Sequence, residues 1–125
     1  MAFPAHFPDQ CPPKTSSEAK GDLFRFVNND PPQATDFVSY HLLGIKYRKS
    51  QHCEACGLSV LVSETYVKQL WKATPFVRKK YKYVAKGMVT PEWGKIAQTG
   101  RSSHYTWWVP EGKSPELIFS VIEIQ

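Results

Sequence analysis

Leu58-Ser59-Val60-Leu61-Val62-Ser63-Glu64-Thr65-Tyr66-Val67-Lys68-Gln69-Leu70-Trp71 changes its hydrophobic period in mid-course. Leu58, Val60 and Val62 alternate with Ser59 and Leu61, the period of two that sends successive side chains to opposite faces of a strand. Ser63 then offers an N-cap oxygen. From Glu64 to about Thr74, Val67, Leu70 and Trp71 fall on one stripe while Lys68, Gln69 and Lys72 stay wet, which predicts an amphipathic helix. A strand running straight into a helix sets the expectation of a mixed α/β layer structure.

Upstream, Leu23-Phe24-Arg25-Phe26-Val27 reads as a first strand closed by the turn Asn28-Asn29-Asp30-Pro31-Pro32. Phe24 and Phe26 share one face, and Arg25 sits with Leu23 and Val27 on a flank that is otherwise apolar. Thr35 or Asp36 offers the cap of a helix reaching to about Leu43, with Gly44 as a left-handed stop and Phe37, Tyr40 and His41 on one stripe. Residues 1 to 21 carry Pro4, Pro8, Pro12 and Pro13, too closely spaced for a regular element. They are expected to form an extended arm anchored by Phe3 and Phe7, in front of a single domain over residues 22 to 125.

Downstream, Thr74-Pro75 stops the helix and starts a short one from Phe76 to Lys80. Strands are expected over 81 to 89, 95 to 99 and 103 to 109. Leu117 to Ile124, apolar on both faces, reads as a strand in the middle of the sheet. The fold class expected is α+β: one domain with a twisted, mainly antiparallel sheet, two principal helices and the N-terminal arm.

A length of 125 residues with 42% apolar and 14% aromatic content is enough for one core. There is no apolar run of membrane-spanning length, and Met1 to His6 lacks the pattern of a secretory signal. Three cysteines fit a reducing compartment better than a disulfide-stapled scaffold, so a cytoplasmic location is expected. The net charge of +5 is unevenly spread. Ten Lys/Arg lie between Lys46 and Lys86 against only Glu54 and Glu64, and the flanks are slightly acidic. Such asymmetry attracts nucleic acid, a phosphorylated ligand or an acidic protein, and it is equally compatible with a solvated surface.

The spacing Cys53-Glu54-Ala55-Cys56 is half of a zinc site, which His52, His41, His6 or Cys11 would have to complete. A second cysteine pair is absent, so no metal is expected, with Cys53 and Cys56 kept as the alternative. The motif precedes a strand rather than opening a helix, which argues against a redox pair. Nucleophile elbow, Walker loop and dinucleotide-binding glycine pattern are all missing. Arg78, Lys79, Lys80, Lys82 and Lys86 cluster beside Tyr81 and Tyr83, pairing phosphate attraction with stacking surfaces. On a strand, however, Lys82 faces away from both tyrosines.

The first strand Leu23-Phe24-Arg25, the following helix, and Gly57-Leu58-Ser59-Val60 leading into a second helix resemble the ADP-ribosyltransferase-like superfamily in order of elements, over residues 22 to 125. In that family a first-strand Arg or His holds the nicotinamide dinucleotide, a Ser or Tyr on the second motif strand shapes the nicotinamide pocket, and a late Glu orients the ribose hydroxyl. By position the resemblance implies these roles for Arg25, Ser59 and Glu123, with NAD as cofactor. The chain departs from the usual ending, since Glu123-Ile124-Gln125 has Gln where the acid often stands. In the RNA 2'-phosphotransferase line of the superfamily, Arg and His replace Glu, and this brings in His104 and Arg101. Trp108, facing away from Trp107, offers a flat surface for a base, and Tyr66 is a further candidate for ligand binding.

The expectation is therefore a small ADP-ribosyltransferase-like protein binding NAD or a related phosphorylated nucleotide. The rival is a binding module without catalysis. It would use region 46 to 86 on nucleic acid or an acidic protein, an inhibitor or immunity role through Trp93 and Trp108 included.

Overall fold

The computed structural model describes residues 1 to 101 and 103 to 124. The chain folds as one α+β domain around a seven-stranded antiparallel sheet. The strands are β1 (Ser17–Glu18), β2 (Gly21–Val27), β3 (Leu58–Leu61), β4 (Tyr83–Val89), β5 (Lys95–Gln98), β6 (His104–Trp108) and β7 (Phe119–Ile122), in the spatial order β1-β5-β6-β3-β2-β4-β7. Four α-helices join them: α1 (Tyr40–Leu43), α2 (His52–Ala55), α3 (Glu64–Ala73) and α4 (Pro75–Lys80).

The stretch from Leu58 behaves as its periods require. Leu58 and Val60 are buried on one face and join Leu23, Val27, Ala85 and Trp107 in the main core. Ser63 Oγ accepts the Tyr66 N–H at 3.1 Å and starts α3. Val67 is fully buried, and with Leu70 and Trp71 it covers Phe24, Leu61 and Val84 on the opposite face of the sheet.

Three expectations are corrected. The segment from Asp36 is not one helix: a 3-10 turn (Ala34–Phe37) breaks at Val38, and Ser39 caps the single-turn α1, which Gly44 ends at φ 74°. Asp36 is the cause. Its carboxylate accepts the Asn28 and Gln33 N–H groups at 2.8 and 2.9 Å and closes the turn after β2. The C-terminal strand lies at the edge rather than the middle, because β7 pairs with β4 alone among the described strands; it begins only at Phe119, and Leu117, in a 3-10 turn before it, is 80% exposed. The cysteines are not all thiols. Cys11 and Cys53 form a disulfide and Cys56 alone is free.

That disulfide ties the proline-rich arm to α2, and β1 adds the arm to the sheet beside β5. Phe3 and Phe7 stack on each other at 5.7 Å. Among the described residues no helix is long and apolar enough to cross a membrane.

Candidate functional site

The sheet parts between β2 and β3. Seven residue pairs join β2 to β4 and four join β3 to β6, whereas β2 and β3 share the single pair Phe24–Leu61. The Arg25 side chain fills the gap. Alternation along β2 places it on the face of fully buried Leu23 and Val27, where a guanidinium must find acceptors or destabilise the fold. Its Nε donates to the Asp36 carbonyl at 2.8 Å and its Nη1 to the Ser59 carbonyl at 2.7 Å, with the Phe37 ring 5.7 Å away. Burial pushes the Arg25 pKa below its ordinary value, opposed by Tyr81, Asp36 and Tyr40. Among the described residues no carboxylate pairs with it, and Nη2 makes no hydrogen bond.

Two cavities have Arg25 and Ser59 in their walls. The larger, of about 260 Å³, lies where β2 ends and β3 begins and is lined by Tyr40, Tyr47, Tyr81, Lys46 and Glu54. Gly57 lies in its wall, and a Cβ there would clash with the Thr106 methyl carbon. The smaller, of about 140 Å³, is bounded by Phe24, Phe26, Leu70 and His104. The larger one thus combines two cations, three phenol rings and one carboxylate, a set suited to an anionic ligand bearing a flat ring.

Of the expected catalytic residues, Arg25, Ser59 and His104 are brought together and Glu123 is not. His104 lines the smaller cavity, with Nδ1 buried and without a hydrogen-bond partner. Glu123 is exposed just beyond β7, on the far side of β4 from β2, about two inter-strand spacings of roughly 4.8 Å away. The carboxylate in the larger cavity is Glu54, which sequence periodicity had left inside a cysteine-spaced turn.

Expected ligand residues fare unevenly. Trp108 is 1% exposed and its indole N–H donates to the Cys53 carbonyl at 2.8 Å, so both faces of β6 are core and Trp108 presents no surface to a ligand. Tyr66 packs half-buried against the core under α3. Arg101 is exposed, and its carbonyl accepts the His104 N–H at 3.2 Å. Tyr40, Tyr47 and Tyr81 come from three separate segments that only the fold assembles; of the three, the sequence singles out Tyr81 alone as a stacking surface, beside the lysines.

The basic cluster is partly committed to structure. Arg78 Nη1 donates to the Trp71 carbonyl and, at 2.7 Å, to that of Lys72, satisfying the end of α3. Lys86 bridges Asp22 and Glu64 at 3.6 Å each. Lys79, Lys80 and Lys82 stay exposed, Lys80 over the Tyr81 ring at 5.4 Å.

Cys53 and Cys56 do not act as a metal pair, because Cys53 is bonded to Cys11. Cys56 is instead buried beside the rings of His41 and His52, whose centroids stand 5.2 Å apart, and His6 stacks on His41 at 5.0 Å. Burial pushes the Cys56 thiol up.

No protein-family model, curated protein or solved structure matches the chain.

Proposed function

We propose that the cavity at the parting of β2 and β3 binds a phosphorylated nucleotide-type ligand. NAD is the member of that class implied by the resemblance to the ADP-ribosyltransferase-like superfamily. One observation carries the reading: a half-buried guanidinium that has, among the described residues, no carboxylate partner and an uncommitted Nη2 stands in the wall of a cavity lined by three tyrosines. Arg25 and Lys46 hold the phosphate, and the phenol rings receive the base. A volume of about 260 Å³ lies just under the common range for small-molecule sites, roughly 300 to 1,000 Å³. It suits a mononucleotide-sized portion, with the rest of a dinucleotide outside.

If the bound ligand reacts by ADP-ribosyl transfer, the carboxylate available to the developing oxocarbenium is Glu54 rather than Glu123, through electrostatic stabilisation of positive charge. Ser59 is the residue on the β3 side of the pocket. Disulfides persist in oxidising surroundings. The proposal therefore assigns the folded protein to such a compartment, in place of the cytoplasmic location expected from the number of cysteines.

Titration calorimetry with NAD and with ADP tests the reading. Wild type is expected to bind at least one of them and Tyr81→Ala to bind at least tenfold more weakly; absence of heat with both ligands removes the proposal.

A second reading, a non-catalytic module for nucleic acid or an acidic protein, is favoured by exposed Lys79, Lys80 and Lys82 beside Phe76, which is 70% exposed. Its mark is affinity for a polynucleotide that falls steeply with salt.

A further inference from the structure

We infer that His41, His52 and Cys56 form a binding site for a divalent transition-metal ion of the zinc class, adjoining the nucleotide cavity through Tyr47 and built to hold α1 against α2. Each residue offers one ligand atom, and the three atoms lie within 4.8 Å of one another. In a tetrahedral zinc site with bonds of 2.0 to 2.3 Å, neighbouring ligand atoms stand roughly 3.3 to 3.6 Å apart. Closing the present spacing takes shifts of about 1 Å, within reach of side-chain rotation.

The local fold supplies the ligands in a physically ordered way. His52 and Cys56 are four residues apart across the single turn of α2, and the Cys56 N–H donates to the His52 carbonyl at 3.2 Å, so both side chains leave the same face. His41 arrives from α1. Cys53, the other cysteine of the motif, is held by Cys11 and leaves Cys56 as the free thiol.

Two further observations indicate a ligand. His52 Nε2 is buried and, among the described residues, has no hydrogen-bond partner, a state that is unfavourable unless something occupies it. His41 Nδ1 lies 2.7 Å from the Tyr47 hydroxyl. With Nδ1–H donating to that oxygen, Nε2 carries the lone pair, the outer partner arrangement usual for a metal-bound imidazole. Two imidazoles and a thiolate select zinc or cobalt over magnesium or calcium, which prefer oxygen. Three protein ligands leave a fourth position for water. Metal entry displaces the Cys56 proton to solvent.

Cobalt(II) titration of the metal-free, disulfide-intact protein is the test. One equivalent is expected to bind with a thiolate-to-cobalt charge-transfer band and the intense visible bands of tetrahedral cobalt, all displaced by Zn²⁺. Cys56→Ser should lose the charge-transfer band, and His52→Gln should bind at least tenfold more weakly, near-UV dichroism confirming that each is folded. Should either variant fail to fold, imidazole ¹⁵N spectra of the wild type decide: Zn²⁺ must move the ring nitrogens of His41 and His52 and leave His104 in place. No thiolate band in the wild type, equal affinity in folded His52→Gln, or unmoved His41 and His52 nitrogens would overturn the assignment.

Discussion

The Nη1 of Arg25 donates to the Ser59 carbonyl at 2.7 Å across the point where β2 and β3 part. A side chain thus takes the place of a backbone ladder bond. The same guanidinium joins the Asp36 carbonyl on the other side, so one residue holds the β3 half of the sheet, the β2 half and the turn before α1 together.

Arg25→Met removes both bonds, leaving the part-buried Asp36 carbonyl without this donor and the exposed Ser59 carbonyl to water. At about 1 to 3 kcal/mol for a buried group left unsatisfied, urea unfolding should show a loss on the order of 1 to 2 kcal/mol. Arg25→Lys keeps the charge yet cannot span both acceptors, and it should recover only part of that loss. A stability equal to wild type in Arg25→Met would mean that the bridge is dispensable.

Trp108 provides the contrasting case. Trp108→Phe deletes the indole N–H donated to the Cys53 carbonyl, which keeps the Cys56 N–H, and about 1 kcal/mol of stability should go with it. Nucleotide affinity should stay within twofold of wild type, because Trp108 does not line either cavity beside Arg25. A larger drop in affinity than in stability would return Trp108 to the ligand site.

The arm depends on its crosslink. Cys11 and Cys53 are 42 residues apart, and in the chain-entropy account closing a loop of that size contributes about 4 kcal/mol. Cys11→Ser should therefore lower the thermal midpoint by well over 10 °C, at roughly 4 to 8 °C per kcal/mol for a domain near this size. Proteolysis of the variant should begin within residues 1 to 21. Identical midpoints for the variant and the oxidised wild type would dismiss this role.

Glu64 carries a pH signature. The hydrogen bond and charge of Lys68, 3.0 Å away, and then Lys86 hold its carboxyl below the ordinary 4.5. A depressed carboxyl pKa adds stability that is present above the ordinary value and lost as pH falls through the folded one. Glu64→Gln should consequently be slightly less stable than wild type near neutrality, and the gap in thermal midpoint should close below pH 4.5. A gap that persists unchanged into acid would assign the effect to something other than ionisation. The pair is solvent-exposed, so the difference will be small.

What the sequence made legible was local. Ser63 and the Val67, Leu70, Trp71 stripe contain the whole of α3 in themselves, and Arg25 stood out because alternation alone set a cation among Leu23 and Val27. The failures came from long-range geometry. Two-sided hydrophobicity in Leu117 to Ile124 meant a core position to periodicity, whereas β7 pairs with β4 alone and leaves Leu117 in solvent. Asp36 had the right chemistry for a cap and spends it on the turn behind it. Cysteine number gave no sign that Cys11 would reach Cys53. Glu54, Tyr40, Tyr47 and Tyr81 meet only because α1, α2, the link between them and the end of α4 close over one end of the parted strands; no spacing along the chain encodes that meeting.

Side-chain NMR during titration with NAD addresses the central claim most directly, since it reads the guanidinium itself. The account predicts that the Arg25 Nε–H resonance and the ring signals of Tyr47 and Tyr81 shift together and saturate with one ligand, while the Trp108 indole N–H stays where it is. Shifts confined to Lys79, Lys80 and Lys82, or none at Arg25 at saturating ligand, would contradict it.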